Sequence, residues 1–495
     1  MSSLTDFEVK LRRFSFESKL EVCRKVAHTI DTNFPPKNPL KIFANLQQKR
    51  ILDDLPITSF LFELEYMALA STIYGEWNGS ISLLSDYEDF RKITNSYKDY
   101  GTAPKKKPIE GPEWYMYFLR LGLQQHKSPS LLYENLHIYD YFYNFTDNNL
   151  DLKSIFLSEF KYDYSSYVLF IICLFTLSST TNNPLDIKTI INSFSRLKQL
   201  NANMIIDMIN ILGATRNELL DLHDSYKIPN RKYRILDYNP FTKFPILNYN
   251  NYLYIPVPQY LFGAITEGFY HQLCEEQGLR FRENFGKHVL EKYIGELLRQ
   301  NNHGYEIIPE FEYGKEKKKS PDYIIVKNND LIFMEIKAAT PAVTLRGDDT
   351  EVFKKQLIKG YGNGVLQCIK KENDLNHFAM MHTKFPKHLK NIYYIIVDLE
   401  DFHIPPGELI TNIVKELCEE NKVKYIEERK PLMLSVQLLI SLFEEYDGDI
   451  FDFMETWSND KQIKFPNTYI DYSKVDVKEL SSYKYFWNII ESVRE

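Results

Sequence analysis

Apolar positions along the chain fall into two rhythms. Up to about residue 225 they return at helical spacing among polar ones, and this periodicity predicts helices over 11–30, 57–74, 113–125, 161–177 and 186–212. Asn33-Phe34-Pro35-Pro36 ends the first of these, and long polar loops separate the others, including 97–111 with its Lys105-Lys106-Lys107 triplet. Beyond about residue 240, short β-branched and aromatic runs take over. Residues 244–256 predict a hairpin turning at Asn250-Asn251, ahead of a helix over 259–277. Residues 285–299 set Val289, Leu290, Tyr293, Ile294, Leu297 and Leu298 on one arc of a helix, with Glu291 at its edge, about 20° from Leu298 at 100° per residue. A strand over 305–311 follows, whose Pro309 fits an edge or a bulge. Two strands over 323–326 and 331–336 come next, then a helix over 352–371 interrupted by Gly360, Gly362 and Gly364, and a buried strand over 391–399. Residues 407–420 and 431–446 predict two more helices, and the tail to Glu495 predicts helical packing.

The stretch from Ser320 to Lys337 organises the rest. Asn328-Asn329 lies between its two strands, and Asn tolerates the positive φ values of two-residue hairpin turns. With those two residues as the turn, Asp322 falls directly opposite Glu335, their Cβ atoms about 4.5–5.5 Å apart on one face. A three-residue turn would make the pair diagonal, still within reach of one ion. Lys337, two residues past Glu335, shares its face. Two facing carboxylates repel each other unless a positive charge lies between them. A divalent cation would supply that charge, with Lys337 beside it.

Composition narrows the class. At 495 residues the chain exceeds one ordinary domain. Its 44% hydrophobic and 26% charged content is that of a globular protein. A net charge of −7 excludes a polycation, so nucleic-acid contact has to come from local basic patches. The run Lys315, Lys317, Lys318, Lys319, just before Asp322, is such a patch, placed where a phosphate backbone would be gripped; a solvated hairpin tip is the plain alternative. The five scattered cysteines lack zinc spacing and point to a reducing, cytoplasmic compartment. The polar N-terminus has no signal-peptide core. The longest apolar run, 167–177, is too short for a bilayer and predicts a buried helix, so no membrane association is expected.

Pro321-Asp322 followed by Glu335-Ile336-Lys337 resembles the signature of the PD-(D/E)xK nuclease superfamily. The resemblance covers roughly residues 281–400. It implies an α/β restriction-endonuclease-like core, a mixed central sheet flanked by helices, here behind a large α-helical N-terminal region. The expected division is 1–225 helical, a sensing module or a surface for a protein partner or second copy; 226–280 a linker hairpin and helix packed on the core; 281–400 the nuclease core; and 401–495 a helical extension. The resemblance implies that Asp322, Glu335 and the Ile336 carbonyl hold Mg²⁺ or Mn²⁺, and that Lys337 orients or deprotonates the attacking water. It further implies Glu291 as an additional metal ligand, since Gly286-x-x-x-x-Glu291-x-Tyr293 resembles that family's first helix, with Glu283 and Glu296 as rivals for the place. Gln367 matches a second-helix glutamine that bonds the water or a site carboxylate. The function so implied is metal-dependent phosphodiester hydrolysis, as a DNA endonuclease with RNA not excluded. A nuclease with such an attachment resembles bacterial anti-phage or restriction effectors, which is analogy only. The alternative is a non-cleaving nucleic-acid-binding or scaffold subunit that keeps the fold.

Overall fold

Both Asn-Asn pairs turn the chain. Asn250 and Asn251 take φ values of 49° and 65° between strands β2 (Ile246–Tyr249) and β3 (Tyr252–Tyr254), and Asn328 takes 55° between β7 (Tyr323–Lys327) and β8 (Asp330–Lys337). Asn accepts this left-handed conformation because its short polar side chain bonds locally. The computed structural model describes residues 6–30, 61–74, 79–101, 135–181, 184–194, 196–226, 237–341, 350–383, 385–386, 388–402, 407–460 and 465–492. The helix expected over 113–125, the Lys105–Lys107 triplet and Arg346 to Asp349 lie outside these residues.

The fold is mixed α/β with a large helical portion. A five-stranded sheet runs β10 (Leu432–Ser435), β9 (Asn391–Asp398), β8, β7, β4 (Glu306–Pro309). The β4–β7 and β7–β8 pairs are antiparallel; β8–β9 and β9–β10 are parallel. β8 and β9, in the middle, are buried along nearly their whole length on both faces, which explains their unbroken apolar runs. Each large side chain fully buried there, such as Phe333 or Ile395, stabilises by roughly 1.5–3 kcal/mol. Pro309 does sit on an edge strand, where its missing N–H interrupts no ladder.

One sheet face carries Ile324, Val326, Leu331, Phe333, Tyr394 and Ile396. It packs under the continuous helix made of Thr350–Leu357, a π segment Ile358–Gly362 and Asn363–Glu372. The glycines expected to interrupt this helix instead let it settle on its neighbours. A Cβ on Gly364 would come 2.9 Å from Ile396, and one on Gly362 would come 2.7 Å from Leu417. The other face carries Ile325, Ile332, Met334, Ile336, Ile395 and Val397. It packs against Val289, Leu290, Tyr293, Ile294 and Leu298 of a second continuous helix, formed by Leu279–Asn284, a π segment Phe285–Leu290 and Glu291–Gln300.

Several expectations are corrected by the packing. The span 11–30 divides into Asp6–Leu11 and Phe16–Ile30, and 186–212 into Ile187–Phe194 and Ala202–Leu212. The helix expected over 431–446 begins as strand β10, which pairs with β9 before Val436–Glu445 turns helical; Ser435 caps that helix by accepting from the Leu438 N–H. The hairpin β2–β3 pairs with β1 (Gly213–Thr215); its Ile246 and Leu253 join the cluster of the core strands, while its Leu247 and Tyr254 join one with the N-terminal Phe7, Leu20 and Met67. A boundary at residue 225 does not follow the packing either, because the largest cluster runs from Leu136 through Phe269 and Ile332 to Phe486. Among the described residues no single helix is long and apolar enough to cross a membrane. The bent pair Leu152–Phe160 and Tyr164–Thr180 (49°) passes that test only jointly, and most of its apolar side chains lie in the core.

Candidate functional site

The β7–β8 register pairs Lys327 with Asp330 and Tyr323 with Met334, so Asp322 is next in line opposite Glu335. The ladder ends there: Asp322 leaves the strand and its Oδ2 accepts from the Ile336 N–H at 2.7 Å. Asp322, Glu335 and Lys337 thus collect at one end of the sheet, on the face covered by the helix Asn363–Glu372. That helix sends down two side chains. Lys337 Nζ donates to Glu335 Oε2 (2.9 Å) and to Gln367 Oε1 (2.8 Å). Lys371 Nζ donates to Glu335 Oε1 (2.6 Å) and to the Ser320 carbonyl (2.8 Å). Glu335 is only 2% exposed, so both its oxygens are held by ammonium groups in a largely dry setting.

Glu291 comes from the helix on the opposite face, at the first position after the π segment. Its backbone carbonyl accepts from the Tyr323 hydroxyl at 3.0 Å. The contact is tight enough to require glycine at 295, where a Cβ would meet the Tyr323 oxygen at 2.0 Å. This anchoring brings Glu291 near the strand ends. Burial pushes the Glu291 carboxyl up to about 8, and the charges of Asp322 and Glu310 add to this against Lys337 and Lys287. Asp322 is pushed up to about 6, first by burial and then by Glu335, against Lys337, the Ile336 N–H and Lys371. Burial lowers the Lys337 ammonium, but Glu335 and Asp322 outweigh it and the net shift is upward.

The basic run is a small hairpin rather than a loop. Strands β5 (Glu312–Tyr313) and β6 (Lys318–Lys319) pair across a turn in which Gly314 and Lys317 take φ values of 70° and 50°. Ser320 anchors its base, exchanging hydrogen bonds with Phe311. Lys319 pairs with Glu310 at 2.8 Å; this bond raises its pKa, with Glu291 and Asp322 contributing. Lys318 lies 3.7 Å from Glu316 and 4.0 Å from Asp374. Lys315 and Lys317 are exposed in the turn.

Two residues of this neighbourhood escape sequence reasoning. Lys371 lies one helical turn beyond Gln367, so the pair shares a face, and that spacing was the available signal. Asp398 closes β9 as the register partner of Lys337. It is 1% exposed, and among the described residues neither carboxylate oxygen has a hydrogen-bond partner. Burial holds its carboxyl well above the usual range, with Lys337 opposing and Asp401 adding.

The donors available to a metal are carboxylate oxygens and the Ile336 carbonyl, which suit a hard divalent cation that keeps several waters. The Asp322 and Glu291 carboxyls are raised first by burial and then by neighbouring carboxylates, and a cation would relieve the second of these. Among the described residues, however, no group of three or more His, Cys, Asp or Glu side chains is gathered as a finished cage. Each Glu335 oxygen carries one ammonium, so a cation there would compete with Lys337 and Lys371 for the carboxylate. Comparison with protein-family models, curated proteins and solved structures finds no match to this chain.

Proposed function

We propose that the chain is a metal-dependent nuclease with a restriction-endonuclease-like core, hydrolysing phosphodiester bonds, DNA being the favoured substrate. The observation that carries this reading is the meeting of Asp322, Glu335, Lys337 and Gln367 at one end of a mixed sheet with a helix on each face. A mixed sheet flanked by helices is the core that the resemblance implies. Asp322, Glu335, the Ile336 carbonyl and Glu291 would hold Mg²⁺ or Mn²⁺. When bound, such an ion supplies Lewis acidity toward the phosphate and acidifies water.

The protein's own residues supply the rest. Lys337 keeps its charge despite burial, so it serves to orient water and to balance charge building on the phosphate. Gln367 fixes the direction of that ammonium through its Oε1. The Ile336 N–H holds the Asp322 carboxylate in one orientation. Tyr323 locks the helix of Glu291 to the sheet, limiting drift of the fourth oxygen donor. The Lys315–Lys319 hairpin stands at the rim, with Lys315 and Lys317 available for phosphates. Incubating the purified protein with Mg²⁺ or Mn²⁺ and labelled single- and double-stranded DNA and RNA tests the reading. Metal-dependent cleavage abolished by Lys337→Ala is expected; metal-independent cleavage, or none on any substrate, refutes it.

A further inference from the structure

In the structure Lys337 occupies an oxygen that the proposed function needs. Its ammonium holds Glu335 Oε2, and Lys371 holds Oε1. A cation drawn to Glu335 would share its oxygens with two ammoniums that repel it, and moving one ammonium to another partner would relieve that repulsion. Lys371 already has a second acceptor, the Ser320 carbonyl, which fixes it from the other side. Lys337 has Gln367, a neutral acceptor that does not replace a carboxylate.

The missing counter-charge is present one strand away. Asp398 is the β9 partner of Lys337 in the parallel ladder, so the two side chains leave the same face of adjacent strands. Asp398 is 1% exposed, and both of its oxygens lack a hydrogen-bond partner among the described residues. A carboxyl group buried without partners costs stability and needs an explanation. Gly360 roofs this place: a Cβ there would come 3.5 Å from Asp398 Oδ1, so the helix backbone leaves just the room the carboxyl needs.

We propose that Asp398 is the alternative counter-ion of Lys337, receiving its ammonium when Glu335 turns to a divalent cation. This rests on the nuclease reading above. Nζ moves from Glu335 Oε2 to Asp398, which releases its proton to solvent as it takes the ammonium, and Lys371 stays on Oε1. Lys337 remains near the reacting phosphate, held now by Asp398 and Gln367, and Asp398 acts as a positioning residue that touches no substrate.

The test is a double-mutant cycle on the full chain, read by calorimetric titration with Mn²⁺ and by metal-free melting. Asp398→Asn and Asp398→Ala both remove the counter-charge, and the metal-free melt verifies that each is folded. Each is expected to weaken Mn²⁺ binding about tenfold to a hundredfold, the size of effect known for groups that orient metal ligands. In a Lys337→Met background the ammonium is gone and Glu335 Oε2 is free, so the same Asp398 changes are expected to leave the Mn²⁺ affinity as it is. Equal Mn²⁺ affinity in wild type and both Asp398 variants overturns the inference while leaving the nuclease reading in place. Equal weakening with and without Lys337 also overturns it, because Asp398 then acts on structure and not through the lysine. Absence of Mn²⁺ binding by the wild type overturns this inference and the nuclease reading together.

Discussion

Asp322→Asn separates the electrostatics of the site from its shape. Asparagine is nearly isosteric with aspartic acid, and its carbonyl oxygen can still accept from the Ile336 N–H that Asp322 Oδ2 now accepts at 2.7 Å. What changes is the charge. Burial and Glu335 push the Asp322 carboxyl from 3.8 up to about 6, so the folded protein holds this proton more tightly than the unfolded chain does. Its stabilising effect is therefore full below about pH 4 and is lost as pH rises through about 6. Two units at 1.36 kcal/mol each give roughly 3 kcal/mol, and because Asp322 is partly exposed, solvent screening reduces this to about 1–2 kcal/mol. Melts in EDTA from pH 4 to 7.5 should show the variant matching wild type at the acid end and pulling ahead as pH rises. With Mg²⁺ the order should reverse. Wild type gains RT ln(1 + [L]/Kd), about 2.7 kcal/mol at a hundredfold excess over Kd, and the variant gains little. A stability difference that is flat with pH refutes the shared-charge account, and an equal gain from Mg²⁺ in both proteins refutes the shared metal site.

Three further outcomes are expected. Lys337→Ala should abolish plasmid nicking while leaving nucleic-acid binding and the folded circular-dichroism spectrum in place; a fully active variant removes Lys337 from the chemistry. Replacing Lys317, Lys318 and Lys319 by Ser should weaken nucleic-acid binding and lower the slope of log affinity against log salt by about 0.7–0.9 for each phosphate no longer neutralised. Because Lys318 and Lys319 already face carboxylates, Lys317→Ser alone should carry much of that change, and an unaltered slope returns the hairpin to a solvated tip. Gly295→Ala should cost about 1–3 kcal/mol by driving a methyl group into the Tyr323 hydroxyl, and Tyr323→Phe in the same chain should recover part of it; a Gly295→Ala protein that melts with wild type shows the packing there to be loose.

What could be read from the sequence was what depends on neighbours in the chain. The Asn328 turn sets the β7–β8 register locally, and that register alone brings Asp322 opposite Glu335 and Lys337 onto its face. The helical arc of 285–299 emerged the same way, its apolar residues being spaced for one surface. What could not be read depends on partners far away. β10 was hidden because Leu432–Ser435 is as apolar as the helix that follows; only Ser435, a capping residue inside the run, marked the change. Gly362 and Gly364 looked like helix breakers because the surfaces that need them bare, Leu417 and Ile396, are many residues distant. Asp398 lies on the neighbouring strand to Lys337 only through a parallel crossover of some fifty residues, which no local pattern encodes.

The charges at the strand ends explain why these features belong together. Asp322, Glu335, Glu291 and Asp398 supply four carboxyls, and Lys337 and Lys371 supply two ammoniums. A fold that needed only a stable sheet end would carry apolar side chains here, since replacing buried ion pairs by packed hydrophobic groups is often neutral or stabilising. Burial first of all holds protons on Asp322, Glu291 and Asp398, with neighbouring carboxylates adding to it at Asp322 and Glu291. If all four ionise, the excess over the two lysines is two negative charges, the charge of one divalent ion. Lys319 does not alter the balance, because Glu310 already neutralises it at the rim. On the proposed reading, a doubly charged ion would offset the excess among these six groups. On the proposal above, Asp398 is the carboxyl to which Lys337 would turn when a cation competes with it for Glu335.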